Sequence, residues 1–166
     1  MTRLLNNLDL TNLYDEKDKD RFEKLIWLDR ILVGSKIDEY SQIELLKTKG
    51  IELAIDFKSP DETNFDDESA FNSADIAYLN FPVSQIDLVT QEDLCFLKNK
   101  IEEFNGNVFL YCMSANRVGA IISLILAEVI GHSKKRSLRI GSEVGMTKDL
   151  LKQKVMDRLL INKESV

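Results

Sequence analysis

Val108-Phe109-Leu110-Tyr111-Cys112-Met113-Ser114-Ala115-Asn116-Arg117 is the stretch on which the fold turns. Its first four residues form a continuous apolar run, the pattern of a central parallel strand buried on both faces. The run stops at a thiol. A short loop follows, and then a strongly apolar helical segment from Val118 to Ile130, with Gly131 at its end. In open α/β sheets, ligands sit where the carboxyl end of a strand leads through a loop into a helix.

The same alternation continues outward. Ile31-Leu32-Val33, ended by Gly34-Ser35, reads as a strand, and Ile43, Leu45 and Leu46 with Gly50 read as a short amphipathic helix with a glycine stop. Ile51 to Phe57 is expected as a second buried strand and Ile76 to Phe81 as a third, stopped by Pro82. Thr90 is expected to cap a helix, with Asp93 completing a capping box, and Leu94, Leu97, Ile101 and Phe104 recur at helical spacing. Asn105-Gly106-Asn107 breaks that helix. The tail from Lys134 to Leu160 carries two further helical patterns, the second capped by Thr147. Strands alternating with helices predict an α/β fold of three layers, α-β-α, around a central mostly parallel sheet. Residues 1–25, with six charged residues in a row from Asp15 to Asp20, are expected as a polar N-terminal extension ahead of a single domain over 26–166. The acidic stretch 58–74 reads as a solvated loop.

Composition narrows the chemistry. The 166 residues include 22 Lys plus Arg against 28 Asp plus Glu, a net charge of −6, which argues against a dedicated nucleic-acid binder. A single histidine, His132, excludes a multi-histidine metal site and leaves acid–base work mainly to carboxylates. Two cysteines, Cys95 and Cys112, are too few for a disulfide scaffold or a four-cysteine zinc site. Cys95, beside a helical core face, is expected to pack in the core. No metal or organic cofactor is expected. Met1 to Asn7 lack the pattern of an export signal, and the Val118–Ile130 run falls short of the roughly 20 residues of a membrane span. A soluble, cytoplasmic protein with reduced thiols, with neither nucleic acid nor membrane as partner, is the expectation.

Each part of the Cys112–Arg117 segment suits anion chemistry. The helix dipole and unpaired N–H groups of a first turn form an anion site, and the amides of Met113, Ser114, Ala115 and Asn116 can nest around phosphate oxygens. The Arg117 guanidinium can clamp two oxygens at once. A thiol placed in such a field is favoured as its nucleophilic thiolate.

Tyr111-Cys112-Met113-Ser114-Ala115-Asn116-Arg117 resembles the active-site loop of the protein tyrosine phosphatase superfamily, in its bacterial beta-lactamase hydrolase-like branch related to dual-specificity phosphatases. That branch has four residues between Cys and Arg. Further similarities are Ile31 to Ser35, Gly50 to Lys58, Phe81-Pro82-Val83 and Val144-Gly145-Met146-Thr147, so the likeness spans roughly residues 26 to 160. It implies a cysteine phosphatase fold of the phosphotyrosine protein phosphatase II type. It also implies hydrolysis of phosphate monoesters through a phosphocysteine, with a phosphorylated protein or small molecule as substrate. Cys112 would be the nucleophile, Arg117 and the loop amides the phosphate clamp, and Asp87, in a loop after a strand end, the acid in preference to the capping residue Asp93. Departures are Ala115 for a loop glycine, Val118 where many phosphatases carry Ser or Thr, Lys58 for an Arg, and Ser84 where an Asp is frequent. Two other readings stay open. One is a rhodanese-like sulfurtransferase carrying a Cys112 persulfide, motivated by the four-residue loop; the other is a phosphate-binding module with little turnover.

Overall fold

In the computed structural model, which describes residues 5–164, six strands form one mixed sheet. They are β1 (Leu13–Asp15), β2 (Leu25–Leu28), β3 (Ile31–Gly34), β4 (Ile51–Asp56), β5 (Ala77–Asn80) and β6 (Asn107–Tyr111), in the spatial order β1-β2-β3-β6-β4-β5. The β3, β6, β4 and β5 pairings are parallel, whereas β1 and β2 add antiparallel to the β3 side. Six α-helices cover the sheet: α1 (Tyr40–Thr48), α2 (Asp67–Ser73), α3 (Gln91–Glu102), α4 (Asn116–Leu124), α5 (Lys134–Val144) and α6 (Asp149–Glu164). This is the three-layer α/β architecture expected from the alternation.

Strand periodicity sorts β6 between two cores. Val108 and Leu110 join the larger core with residues of α3, α4, α5 and α6, while Phe109 and Tyr111 join the smaller one with residues of α1 and α2. Gly34 leaves room for β6: a Cβ there would stand 2.5 Å from the Phe109 ring. The apolar helix starts at Asn116, earlier than the hydrophobic run, and continues past Leu124 as a π-helical stretch, Ile125–Ile130. Gly131, at φ 96°, ends it in the left-handed conformation. The Thr90–Asp93 capping box is present at the head of α3. Among the described residues, no helix is long and apolar enough to cross a membrane.

Four expectations differ from the structure. Residues 1–4 lie outside the described residues, but the remainder of the 1–25 stretch is no solvated lead-in. It supplies β1, buries Leu5, Leu8 and Phe22, and buries the Glu16 carboxylate, which accepts from Trp27 Nε1 (3.2 Å). The local charge run hid this, because each buried residue is matched by a partner far along the chain. The acidic 58–74 stretch holds α2, capped by Asp66 and anchored by buried Ala70 and Phe71. Cys95 is exposed, because α3 turns Leu94, Leu97 and Ile101 inward instead. Thr147 lies one residue ahead of the N-cap position of α6, because the helix begins at Asp149 and Lys148 O accepts its first intrahelical bond.

Candidate functional site

The sheet itself presents Cys112. Phe57 N–H donates to Tyr111 O (2.9 Å), Cys112 N–H to Gly34 O (3.4 Å) and Lys36 N–H to Met113 O (3.1 Å). The β6 backbone is thereby held on both sides up to the point where it leaves the sheet. Cys112 is only 1% exposed. Ala115 then takes a left-handed conformation, φ 69°, immediately before the first turn of α4. An alanine there carries a strain of about 1 kcal/mol that glycine would not. The tight packing accepts it: a Cβ on Gly145 would stand 2.6 Å from Ala115 O and 2.8 Å from Ala115 Cβ.

Asn116 ties this loop to the turn before α6. Its Oδ1 accepts from Thr147 N–H (2.8 Å) and Lys148 N–H (2.9 Å), and its Nδ2 donates to Ser114 Oγ (3.1 Å). The side chain is therefore a strut, while its amide belongs to the first helical turn. Val118 is fully buried in the core.

Arg117 reaches across the mouth of the loop. Its Nη1 donates to Phe57 O (3.3 Å), Val83 O (3.2 Å) and Glu62 Oε2 (2.9 Å), and Nη2 donates to Glu62 Oε1 (2.8 Å). Burial opposes the guanidinium charge, but the Glu62 carboxylate and the Cys112 sulfur outweigh it, so its pKa rises above the ordinary value. Glu62 is held below the usual glutamate range, first by Arg117 and then by the Ser59 N–H, with burial acting the other way. Glu62 was not among the residues singled out from sequence. It lies 55 positions from Arg117 within an acidic loop, and nothing local distinguishes it from its neighbours.

Behind the loop sits a buried charge network. Lys58 Nζ donates to Asp56 Oδ2 (3.0 Å) and Asp67 Oδ2 (2.9 Å), Tyr78 donates to Asp56 (2.7 Å) and Tyr111 donates to Asp67. Burial pushes the Asp67 carboxyl above its ordinary value, and burial followed by the neighbouring carboxylates raises both tyrosines. The network joins Asp56 and Tyr111, the last residues of β4 and β6, to Tyr78 of β5.

A cavity of about 440 Å³ adjoins the loop, bounded by Met113, Ser114 and Arg117 on one side and by Lys148, Leu150 and Lys154 on the other. The structure thus brings Cys112, Met113, Ser114, Ala115, Asn116 and Arg117 together. Asp87 does not line this cavity. It is exposed on the one-turn 3₁₀ helix Ile86–Leu88, which Arg158 Nη1 anchors through Ile86 O (3.1 Å). Among the described residues, no group of three or more His, Cys, Asp or Glu side chains could hold a metal ion.

Neither a family model nor a curated protein sequence matches the chain. Solved structures do. Tk-PTP in its active form superposes with a TM-score of 0.64 at 15% identity, over 78% of this chain and 90% of that one. TpbA of P. aeruginosa, solved in complex with pTyr, does so with a TM-score of 0.57 at 19% identity, over 71% of each chain. At such identities the likeness lies in the path of the backbone, and that path is the one described above: the chain has the fold of the protein tyrosine phosphatase superfamily.

Proposed function

We propose that the chain is a cysteine-dependent phosphatase acting on phosphate monoesters of the protein tyrosine or dual-specificity type. The observation that carries this reading is a thiol at the carboxyl end of the central strand, beside an arginine on the first turn of the helix that follows. The Cys112 thiolate attacks phosphorus and the ester P–O bond breaks. The leaving oxygen takes a proton, and the S–P bond of the phosphocysteine is then cleaved by water. Arg117 and the amides of Met113 to Asn116 hold the phosphoryl oxygens, whose charge is the main thing such a site must stabilise. Glu62 is held ionised by Arg117 and is a poor proton donor in that state, so we assign the acid role to Asp87. It lies on the same connection as Val83, whose carbonyl Arg117 already grips.

Hydrolysis of para-nitrophenyl phosphate tests this. Cys112→Ser abolishes turnover, and Asp87→Asn lowers kcat by about 10²-fold, the lower end for loss of a general acid. Turnover that survives Cys112→Ser removes the nucleophile. An unchanged kcat in Asp87→Asn removes the acid. Cys112-dependent transfer of sulfur from thiosulfate to cyanide, without phosphate release, would establish the sulfurtransferase chemistry instead. Phosphate binding without any turnover would leave a binding module.

A further inference from the structure

The two sides of helix α6 differ in what they touch. On the inward side Val155 and Leu159 are buried, and Arg158 grips the Glu128 carboxylate through Nε (2.9 Å) and Nη2 (2.9 Å). On the outward side Leu150, Lys154, Asp157 and Ile161 follow one another at steps of four, three and four residues, so they form one straight stripe. All four are exposed, Leu150 by 73% and Ile161 by 64%, and Leu160, 50% exposed, flanks them. One exposed leucine would be ordinary. Here the apolar residues recur in register with the seam spacing of paired helices. Among the described residues neither Lys154 nor Asp157 is ion-paired, and the Asp157 carboxylate accepts from the Gln153 side chain (2.8 Å).

The order of the stripe decides what fits it. From either end it runs apolar, charged, charged, apolar, with the base in one half and the acid in the other. Laid antiparallel on a copy of itself, each leucine meets an isoleucine and each lysine meets an aspartate. Both matches occur twice, about a two-fold axis passing midway between Lys154 and Asp157. A parallel copy would set lysine on lysine and aspartate on aspartate. We propose that the chain self-associates as a two-fold dimer through antiparallel pairing of α6, with Leu150 against Ile161 and Lys154 against Asp157 of the second copy. The stripe is about 18 Å long, so the interface is smaller than the roughly 1,600 Å² of a standard stable one. The dimer is therefore concentration-dependent, with a Kd on the order of 10–100 μM. Arg158 already pins the helix, so pairing orders little that was free. The inference does not depend on what the Cys112 loop binds. It does set the second copy at the mouth of that site. Leu150 and Lys154 also line the cavity beside Arg117, so Ile161 and Asp157 of the second copy stand at its rim.

Sedimentation velocity of the full chain from about 5 to 500 μM tests this. The weight-average sedimentation coefficient is expected to climb from the monomer value towards that of a dimer. Lys154→Glu and Asp157→Lys each set like charges opposite one another and are expected to weaken association by about tenfold or more. Combining the two reversals restores it, because the two-fold exchanges the partners. A variant that merely misfolded would not be repaired in this way. Both positions are exposed, and an unchanged thermal melt shows that each altered chain still folds. A chain that stays monomeric throughout overturns the proposal and leaves the stripe to a different partner. Association that ignores the single reversals, or that the double reversal fails to restore, overturns the antiparallel pairing as well.

Discussion

At the scale of single residues, Glu62 holds the guanidinium edge that a phosphate would use. A carboxylate and a phosphate both present paired oxygens to the same fork, so they compete for it. Glu62→Gln keeps the shape and removes the charge, and inorganic phosphate is expected to bind several-fold more tightly, as titration calorimetry would show. Weaker binding would mean that Glu62 serves to hold Arg117 in place. The pH dependence has a definite sign. Because the folded-state pKa of Glu62 is lowered from 4.5, the pair stabilises the fold above that value and is lost as pH falls through the lowered one. A thermal melt series in acid should therefore show a smaller loss of stability in Glu62→Gln than in the native chain. None of this was legible in the sequence, because an ion pair across 55 residues leaves no local trace. Cys112 and Arg117 were legible because the strand, the loop and the helix start stand next to one another in the chain.

Among the elements, the joint between α5 and α6 governs the shape of the loop. Gly145, at φ 153°, lies against Ala115, and any side chain there would meet the Ala115 carbonyl as well as disfavoured backbone geometry. Gly145→Ala is expected to cost about 2 kcal/mol or more in denaturant unfolding and to reduce phosphate binding with it. A change below about 0.5 kcal/mol would show that the joint yields freely. Helix α5 also packs closely against α4. A Cβ on Gly141 would stand 2.5 Å from Gly119 O, and Ser123 Oγ donates to Ser137 O (2.9 Å) across the crossing. Elements with a strong period were readable from the sequence: β6, β4, α3 with its capping box, and the apolar α4. Elements held mainly by distant partners were not. Helix α2 has seven residues in an acidic stretch and is anchored by Phe71 against Tyr78 and Tyr111. Thr147 has the chemistry of a cap, but α6 begins at Asp149, so Lys148 takes the N-cap position and Thr147 lies one residue before it.

For the molecule as a whole, the N-terminal stretch closes the sheet. Strand β1 covers the outer edge of β2, and Leu5 and Leu8 pack into the core shared by α3 and α4. Removing residues 1–17 takes away that edge, two core leucines and the Glu16 acceptor of Trp27. The expected cost is on the order of 5 kcal/mol, a large share of a typical domain's stability, and an exposed β2 edge invites association. Thermal unfolding and light scattering would reveal both, and an unchanged melting temperature would show the stretch to be dispensable. The strand order has a kinetic side as well. The last strand in the chain, β6, is inserted between β3 and β4, pairing Ile31 with Val108 and Asp56 with Tyr111. Such distant pairings must wait for costly loop closures, so β6 is a late arrival in folding. A nascent chain that has not yet reached residue 107 has no nucleophile, no loop and no helix dipole to aim at an anion. Recovery of phosphate binding during refolding should therefore coincide with the final ordering of the sheet rather than precede it.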